Sequence, residues 1–283
     1  MIPGSFDYHA PGTLKEAIDL LGKHPDDAKV LSGGQSLLPL LKLRLGSAGH
    51  LVDIGKIPGL EYIKEEGGFL KIGGRTREAA IEHSDLVRKK YPLLADTTEV
   101  IADPLVRNLA HGDPANDHPA TMLAYGAEVV ATGPKGARTI PIDNFFTSLF
   151  QTALAPDEIL TEIRIPIPPA KSGGAYMKLE RKVGDFATAA AAAQVTLGAN
   201  GTFEKVGIGL TAVGPTPIKA TAAEQSLKGK KPDAEAIAAA SKLAAQATSP
   251  SADRRGSVEY KKEMSRVLTA RALAKAVARA QGE

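Results

Sequence analysis

Val30-Leu31-Ser32-Gly33-Gly34-Gln35-Ser36-Leu37-Leu38-Pro39 reads as a short apolar strand running into a bend of two glycines, a glutamine and a serine. Glycine carries no Cβ, so the backbone of such a bend can come close to a ligand. Successive amide N–H groups in a bend of this kind form a concavity suited to a phosphate. The stretch therefore points to a nucleotide or dinucleotide cofactor. Its plain alternative is a turn that joins two elements and does nothing more, and the surrounding chain has to decide between them.

Upstream, Leu14, Ala17, Ile18 and Leu21 fall at helical spacing after Thr13, a suitable N-cap. Downstream, 37–45 is mostly apolar and 51–54 is a second short strand. Residues 59–63 and 69–73 read as a hairpin, Thr76 as the cap of a helix through Ala79–Ile81, and Pro92 as the end of the next helical pattern. A helix over 97–101 follows, then a polar loop from Asn108 to Pro119 and a helix over 120–125. Strands are expected at 127–132, 138–142 and 159–166. Pro166 to Gly174 is rich in Pro, Gly and Ser and marks a domain boundary. Beyond it come strands at 175–179, 187–197 and 206–213, then helices at 232–247 and 257–281. In the last helix, Tyr260, Met264, Val267, Leu268 and Ala272 form an apolar stripe. The order is α+β rather than a regular βαβ alternation.

Composition narrows the function. The 283 residues are 43% hydrophobic, enough for a substantial core, and no run of about 20 apolar residues suggests a membrane span. Residues 1–8 lack the basic and apolar regions of a signal peptide, so the expected location is cytoplasmic, with any association with the inner face of the membrane made through partners. Cysteine is absent, which removes disulfides, thiolate catalysis and cysteine-ligated iron–sulfur clusters from this chain. The formal charge of +3 gives no case for nucleic-acid binding. From Asp253 onward there are eight basic residues against four acidic, best read as a solvated helix face.

Two further loops are rich in polar groups. His111-Gly112-Asp113-Pro114-Ala115-Asn116-Asp117-His118 holds two histidines and two aspartates, which could ligate a metal. The more economical reading is a loop that satisfies its own backbone through Asx-turns. Asp117 could also accept hydrogen bonds from a ribose. Arg181-Lys182-Val183-Gly184-Asp185-Phe186-Ala187 pairs cations with a glycine turn and an aromatic, either a surface turn or a border for a planar ring. No nucleophile elbow, zincin helix or P-loop occurs, nor any general-base dyad. A chain that binds a cofactor without acid–base machinery suits electron transfer, where the cofactor performs the chemistry.

Three motifs in order carry a family resemblance: Ser32–Pro39, Asp103-Pro104-Leu105-Val106-Arg107-Asn108 with 109–119, and Lys178-Leu179-Glu180-Arg181-Lys182-Val183-Gly184-Asp185-Phe186-Ala187-Thr188-Ala189. Together they resemble the medium, FAD-binding subunit of molybdenum hydroxylases of the xanthine dehydrogenase family, within it most nearly the aerobic carbon monoxide dehydrogenase type. The resemblance runs from the first residues to the final helix. It implies a two-part FAD-binding domain of the vanillyl-alcohol-oxidase (PCMH) type over 1–170, with subdomains of about 1–57 and 58–170. A C-terminal α+β domain of the CO dehydrogenase flavoprotein type over 175–283 completes it.

By the same resemblance, Val30, Leu31, Ser32, Gly33, Gly34, Gln35, Ser36 and Leu37 wrap the FAD diphosphate. Ile101 lies near the flavin, Leu109 follows a second loop, and Asp117 meets the adenosine half. Leu160 gives a backbone contact to the adenine end, Lys178 lies near the cofactor, and Phe186 faces the isoalloxazine ring. No catalytic and no metal-ligating residue is expected in this chain. The implied partners are a large subunit with a molybdenum–pterin centre and a small subunit with two 2Fe–2S clusters, arranged as a dimer of heterotrimers. The chain would pass electrons to a quinone, NAD or oxygen. The substrate of the complex (carbon monoxide, an aldehyde or an N-heterocycle) stays open.

One departure stands out. Family members carry a second glycine loop, of the form x-Gly-Thr-Ile/Val-Gly-Gly-Asn/Ser, where this chain passes directly from Asn108 to Leu109. Either the segment belongs to the protein and is missing only from the sequence as read, or it is deleted and FAD binding is weakened. The intact flanks favour the first. Two rival functions follow: a cofactor-free assembly or scaffold subunit of the same complex, and a free-standing flavin oxidase, for which no catalytic base is visible.

Overall fold

The computed structural model describes residues 2–101, 109–182 and 184–283. The chain opens with β1 (Asp7–His9), α1 (Leu14–Lys23), β2 (Ala28–Leu31), α2 (Leu37–Leu43) and β3 (His50–Asp53). The strands form a parallel sheet in the order β1-β3-β2. Thr13 caps α1, its hydroxyl accepting from the Glu16 N–H at 3.2 Å, and Ala17, Ile18 and Leu21 pack with Val52 and Ile54. The glycine bend therefore lies at the C-terminal end of a parallel strand, the end where open α/β sheets present ligand sites.

Then come β4 (Ile63–Glu66), β5 (Phe69–Gly73), α3 (Glu78–Glu82), α4 (Asp85–Lys90), α5 (Pro92–Glu99), α6 (Asp117–Tyr125), β6 (Glu128–Gly133), β7 (Gly136–Pro141), β8 (Phe146–Ser148), β9 (Gln151–Thr152) and β10 (Ile159–Pro166). An antiparallel sheet of order β4-β5-β10-β6-β7 results, with β8 and β9 as a separate hairpin. Its first strand starts at Ile63 rather than 59, because Pro58-Gly59 turns the chain, with Gly59 at φ +78°. Thr76 is not the cap of α3, whose N-cap is Arg77. The Thr76 hydroxyl instead donates to the Tyr62 carbonyl (2.9 Å) and accepts from its N–H (3.1 Å). Pro92 closes off α4 and also opens α5, as its fixed φ and missing N–H suit a first helical turn.

The rest is β11 (Ser172–Leu179), β12 (Ala189–Leu197), β13 (Phe203–Thr211), β14 (Ile218–Lys219), α7 (Thr221–Leu227), α8 (Ala234–Gln246) and α9 (Val258–Gln281). The four strands form an antiparallel sheet in chain order. Both faces are covered. Ala189, Ala191 and Ala193 join the core under α8 and α9, while Ala190 and Ala192 join the core that contains α6. This explains the run of small apolar residues, since strands buried on both faces lose the polar alternation. The stripe expected on α9 needs correction. Leu268 and Ala272 are buried as expected, but Tyr260 is 44% exposed. The buried face runs through Lys261, Ser265, Thr269, Leu273, Ala276 and Ala280, of which all but Leu273 are small or locally bonded. No helix of the described residues is long and apolar enough to cross a membrane.

Candidate cofactor-binding site

A cavity of about 510 Å³ is walled by α1, β2 and the glycine bend on one side, and by the β5–α3 segment, α6 and β10 on the other. Its size falls within the roughly 300–1,000 Å³ usual for cofactor pockets. Gly33 and Gly34 adopt φ +78° and +79°, a region that residues with a Cβ enter only at a cost. A Cβ on Gly34 would also fall 2.7 Å from Leu38 Cδ1. The bend is thus built for glycine at Gly34, which with Ser32, Gln35 and Ser36 forms part of the cavity wall.

Among the residues expected to hold the cofactor, Val30, Ser32, Gly34, Gln35, Ser36, Leu37, Leu109 and Leu160 line this cavity. Leu31, Gly33, Ile101, Asp117, Lys178 and Phe186 are not in its wall. The Asp103–Asn108 motif and Val183 lie outside the described residues, as does the junction at Asn108. Leu109, the next described residue, is buried in the hydrophobic core beside Leu94 and Met122.

Asp117 and Lys178 meet each other. Asp117 opens α6, Lys178 stands near the end of β11, and Lys178 Nζ donates to Asp117 Oδ2 at 3.0 Å. The Tyr176 hydroxyl donates to Asp117 Oδ1 at 2.6 Å. Lys178 also pairs with Glu180 (3.2 Å) and donates to the Val100 carbonyl (3.2 Å), just before Ile101. Burial pushes the Asp117 carboxyl above its ordinary range, against the pull of Lys178, the Tyr176 hydroxyl and His118. The cluster fastens the start of α6 to the C-terminal sheet.

Phe186 is 53% exposed. It follows Asp185, whose carboxylate takes Arg181 at 2.9 Å and Arg255 at 3.0 Å. Those two guanidinium groups, Arg181 foremost, hold the Asp185 carboxyl down at about 2. The turn is therefore a surface turn anchored to the chain before α9, with an aromatic ring displayed on it.

The cavity wall holds groups that the sequence reading did not assign to the site. Glu158 is clamped by Arg138 at 2.6 and 2.7 Å, which with the Ala155 N–H lowers its carboxyl below the usual range. Glu78 and His118 face each other, 2% and 8% exposed, with His118 Nε2 at 2.8 and 3.0 Å from the two Glu78 oxygens. Burial by itself would depress the His118 imidazole, but Glu78 and Asp117 outweigh it and the net direction is upward. His111 moves the other way, pushed down by burial. His111 and His118 had drawn attention as part of a polar loop. Nothing in the sequence paired His118 with a glutamate 40 residues earlier. In that loop Asp113 accepts from the Ala115 N–H (2.8 Å) and Asn116 caps α6, the Asx-turn arrangement. Among the described residues no three His, Asp or Glu side chains are placed to hold a metal.

Comparison with known proteins adds three findings. The family model described as FAD binding domain in molybdopterin dehydrogenase matches residues 4–168, and that described as CO dehydrogenase flavoprotein C-terminal domain matches 174–276. The carbon monoxide dehydrogenase medium chain of Afipia carboxidovorans is 44% identical over 288 residues, covering 99% of this chain and 100% of the relative. A solved structure of Cu,Mo-CO dehydrogenase, in its cyanide-inactivated form, superposes with a TM-score of 0.95 at 44% identity, over 99% of this chain and 100% of that one. Quinoline 2-oxidoreductase from Pseudomonas putida 86 does so at 0.90 and 31%, over 100% and 99%.

Proposed function

The chain belongs to the FAD-binding medium subunits of the carbon monoxide dehydrogenase and xanthine dehydrogenase family, oxidoreductase components of molybdenum hydroxylases, and from that premise we propose that it is the subunit through which electrons leave such a complex. Bound FAD supplies two-electron redox chemistry that no side chain can. The protein's share is position and electrostatics. The amides of 32–36 receive the diphosphate, the wall at 158–160 receives the adenine end, and the apolar residues around Leu94 and Met122 keep water from the cavity.

In this reading the electrons come from 2Fe–2S clusters on a small partner subunit, filled by a molybdenum–pterin centre on a large one, in a dimer of heterotrimers. A quinone, NAD or oxygen takes them up. The absence of cysteine supports the assignment of the clusters to a partner. The reading also takes residues 1–170 and 175–283 as its two domains and keeps Leu31, Gly33, Ile101, Asp117, Lys178 and Phe186 as cofactor contacts. The observation that carries it is the diglycine bend set in the wall of a cofactor-sized cavity.

The test is to express the chain with its partner subunits and record the visible spectrum before and after anaerobic reduction with dithionite. Flavin bands that bleach on reduction are expected. A complex that turns over substrate and carries no flavin would overturn the reading. The direct Asn108–Leu109 junction favours a rival, a cofactor-free scaffold subunit. FAD titrated into the isolated chain separates the two, because a ligand of the native state raises its melting temperature and a scaffold is indifferent.

A further inference from the structure

Glu78 is a buried carboxylate in the wall of a cavity that, on the reading above, must admit a ligand with an anionic diphosphate. Unbalanced, it would repel that ligand in a medium that screens charge poorly. We propose that His118 is the counter-cation that makes the cavity acceptable to an anionic dinucleotide, so that affinity for the diphosphate depends on the proton carried by this imidazole. The inference rests on the cavity being the FAD site.

Among the described residues of the wall, the charges around the pair leave no other buried cation. Glu158 is neutralised by Arg138 at 2.6 Å, outside the cavity. Asp117, next to His118 on α6, is held by Lys178 and Tyr176 of β11, with Glu180 taking the other side of Lys178. His111 lines the cavity, but burial favours its neutral form. Lys29 lines it from β2 with an exposed side chain. Only Glu78 depends on a titratable partner, and both of its oxygens lie within 3.0 Å of His118 Nε2. Losing one imidazole proton leaves a neutral ring that can still donate from Nε2, but the Glu78 charge facing the ligand is then no longer balanced.

Both members of the pair are placed by helix starts. Glu78 is the first residue of α3 and His118 lies in the first turn of α6, whose cap Asn116 accepts from the His118 N–H at 3.3 Å. Both side chains are almost fully buried, so little water reaches either charge. The cost therefore falls on the ligand.

The test compares FAD with riboflavin, which has the ring but no diphosphate, on the purified chain by quenching of flavin fluorescence. Between about pH 6.5 and about pH 9 the FAD dissociation constant should rise about tenfold or more, while that of riboflavin stays level. Glu78→Gln should bind FAD equally at both pH values, and more tightly than the wild type at the higher one. His118→Gln should lose about tenfold in FAD affinity at the lower pH and leave riboflavin unchanged. A merely structural pair would shift both ligands together. Parallel shifts, or an FAD affinity of the wild-type chain that ignores pH, would overturn the inference while leaving the FAD assignment standing. A folded chain that binds no FAD at any pH would overturn both. Should His118→Gln fail to fold, the pH profile and Glu78→Gln decide the matter.

Discussion

Gly34 and Lys178 show how differently single residues are constrained here. Gly34 is held to glycine by its backbone: φ is +79°, and Leu38 and Leu31 close the space a side chain would need. Gly34→Ala should cost about 1–2 kcal/mol of local strain and lower the melting temperature by a few degrees. Its larger effect should be on FAD affinity, about tenfold or more, read by fluorescence titration. Equal FAD affinity in a folded variant would remove the bend from the site. Lys178 is held by charge. Its side chain is 4% exposed and bridges Asp117 and Glu180. Lys178→Met strands the buried Asp117 carboxylate and unpairs the half-buried Glu180, so a loss of about 3–5 kcal/mol is expected in urea unfolding. The double variant Asp117→Asn with Lys178→Met should recover part of it, because the stranded charge rather than the missing pair carries most of the penalty.

At the scale of elements, the decisive contact is α6 against the C-terminal sheet. A Cβ at Gly207 would lie 1.9 Å from the Ala124 carbonyl oxygen, and one at Gly209 2.0 Å from that of Ala120. These are backbone obstacles, so the helix has to move if either glycine gains a side chain. The start of α6 is further tied down where the Thr211 hydroxyl donates to the Asn116 carbonyl at 2.5 Å. Gly209→Ala should destabilise by about 1–3 kcal/mol through overpacking. It should also weaken FAD binding although it lies far from the cavity wall in sequence, because α6 carries His118. Thermal unfolding and FAD titration on the same variant check both halves, and a destabilised variant with wild-type FAD affinity would show that α6 does not set the site. At the other end of the sheet, α9 is clamped to α5 by Arg279, which grips both oxygens of Asp96 at 2.8 and 2.9 Å, with Lys275 adding a third bond at 3.1 Å.

For the whole molecule, stability should carry the signature of the His118–Glu78 pair. The imidazole is raised in the folded state, so the stabilisation it brings is complete below its unfolded value of about 6.5 and is lost as pH rises through the higher folded one. The melting temperature of the ligand-free chain should therefore decline over that window, and His118→Gln should flatten the decline. A midpoint that climbs with pH there would contradict the assigned ionisation. The second whole-molecule expectation concerns the Asn108–Leu109 junction. Inserting a glycine loop of the family form at this point supplies further N–H donors for the diphosphate, and should tighten FAD binding about tenfold. Unchanged affinity would mean that the first bend alone grips the cofactor.

Much of this molecule could be read from local pattern. Thr13 as a cap, the strand over 159–166 and the strand-to-glycine bend at 30–36 depend on residues close in sequence, and periodicity and capping act at that range. The absence of cysteine excludes a cysteine-ligated iron–sulfur cluster from this chain for a reason as local as ligand chemistry. Pairings across the chain were not legible. Asp117 and Lys178 each looked like a cofactor contact, and the fold joins them to each other across 61 positions. Glu78 carried no signal at all, and His118 only that of a polar loop. They became a site because α3 and α6 present them to one cavity, where burial converts an ordinary pair of side chains into the charge that a ligand must meet. Local sequence can announce a backbone shape, but a buried charge owes its meaning to the neighbours that folding brings and the water that folding removes.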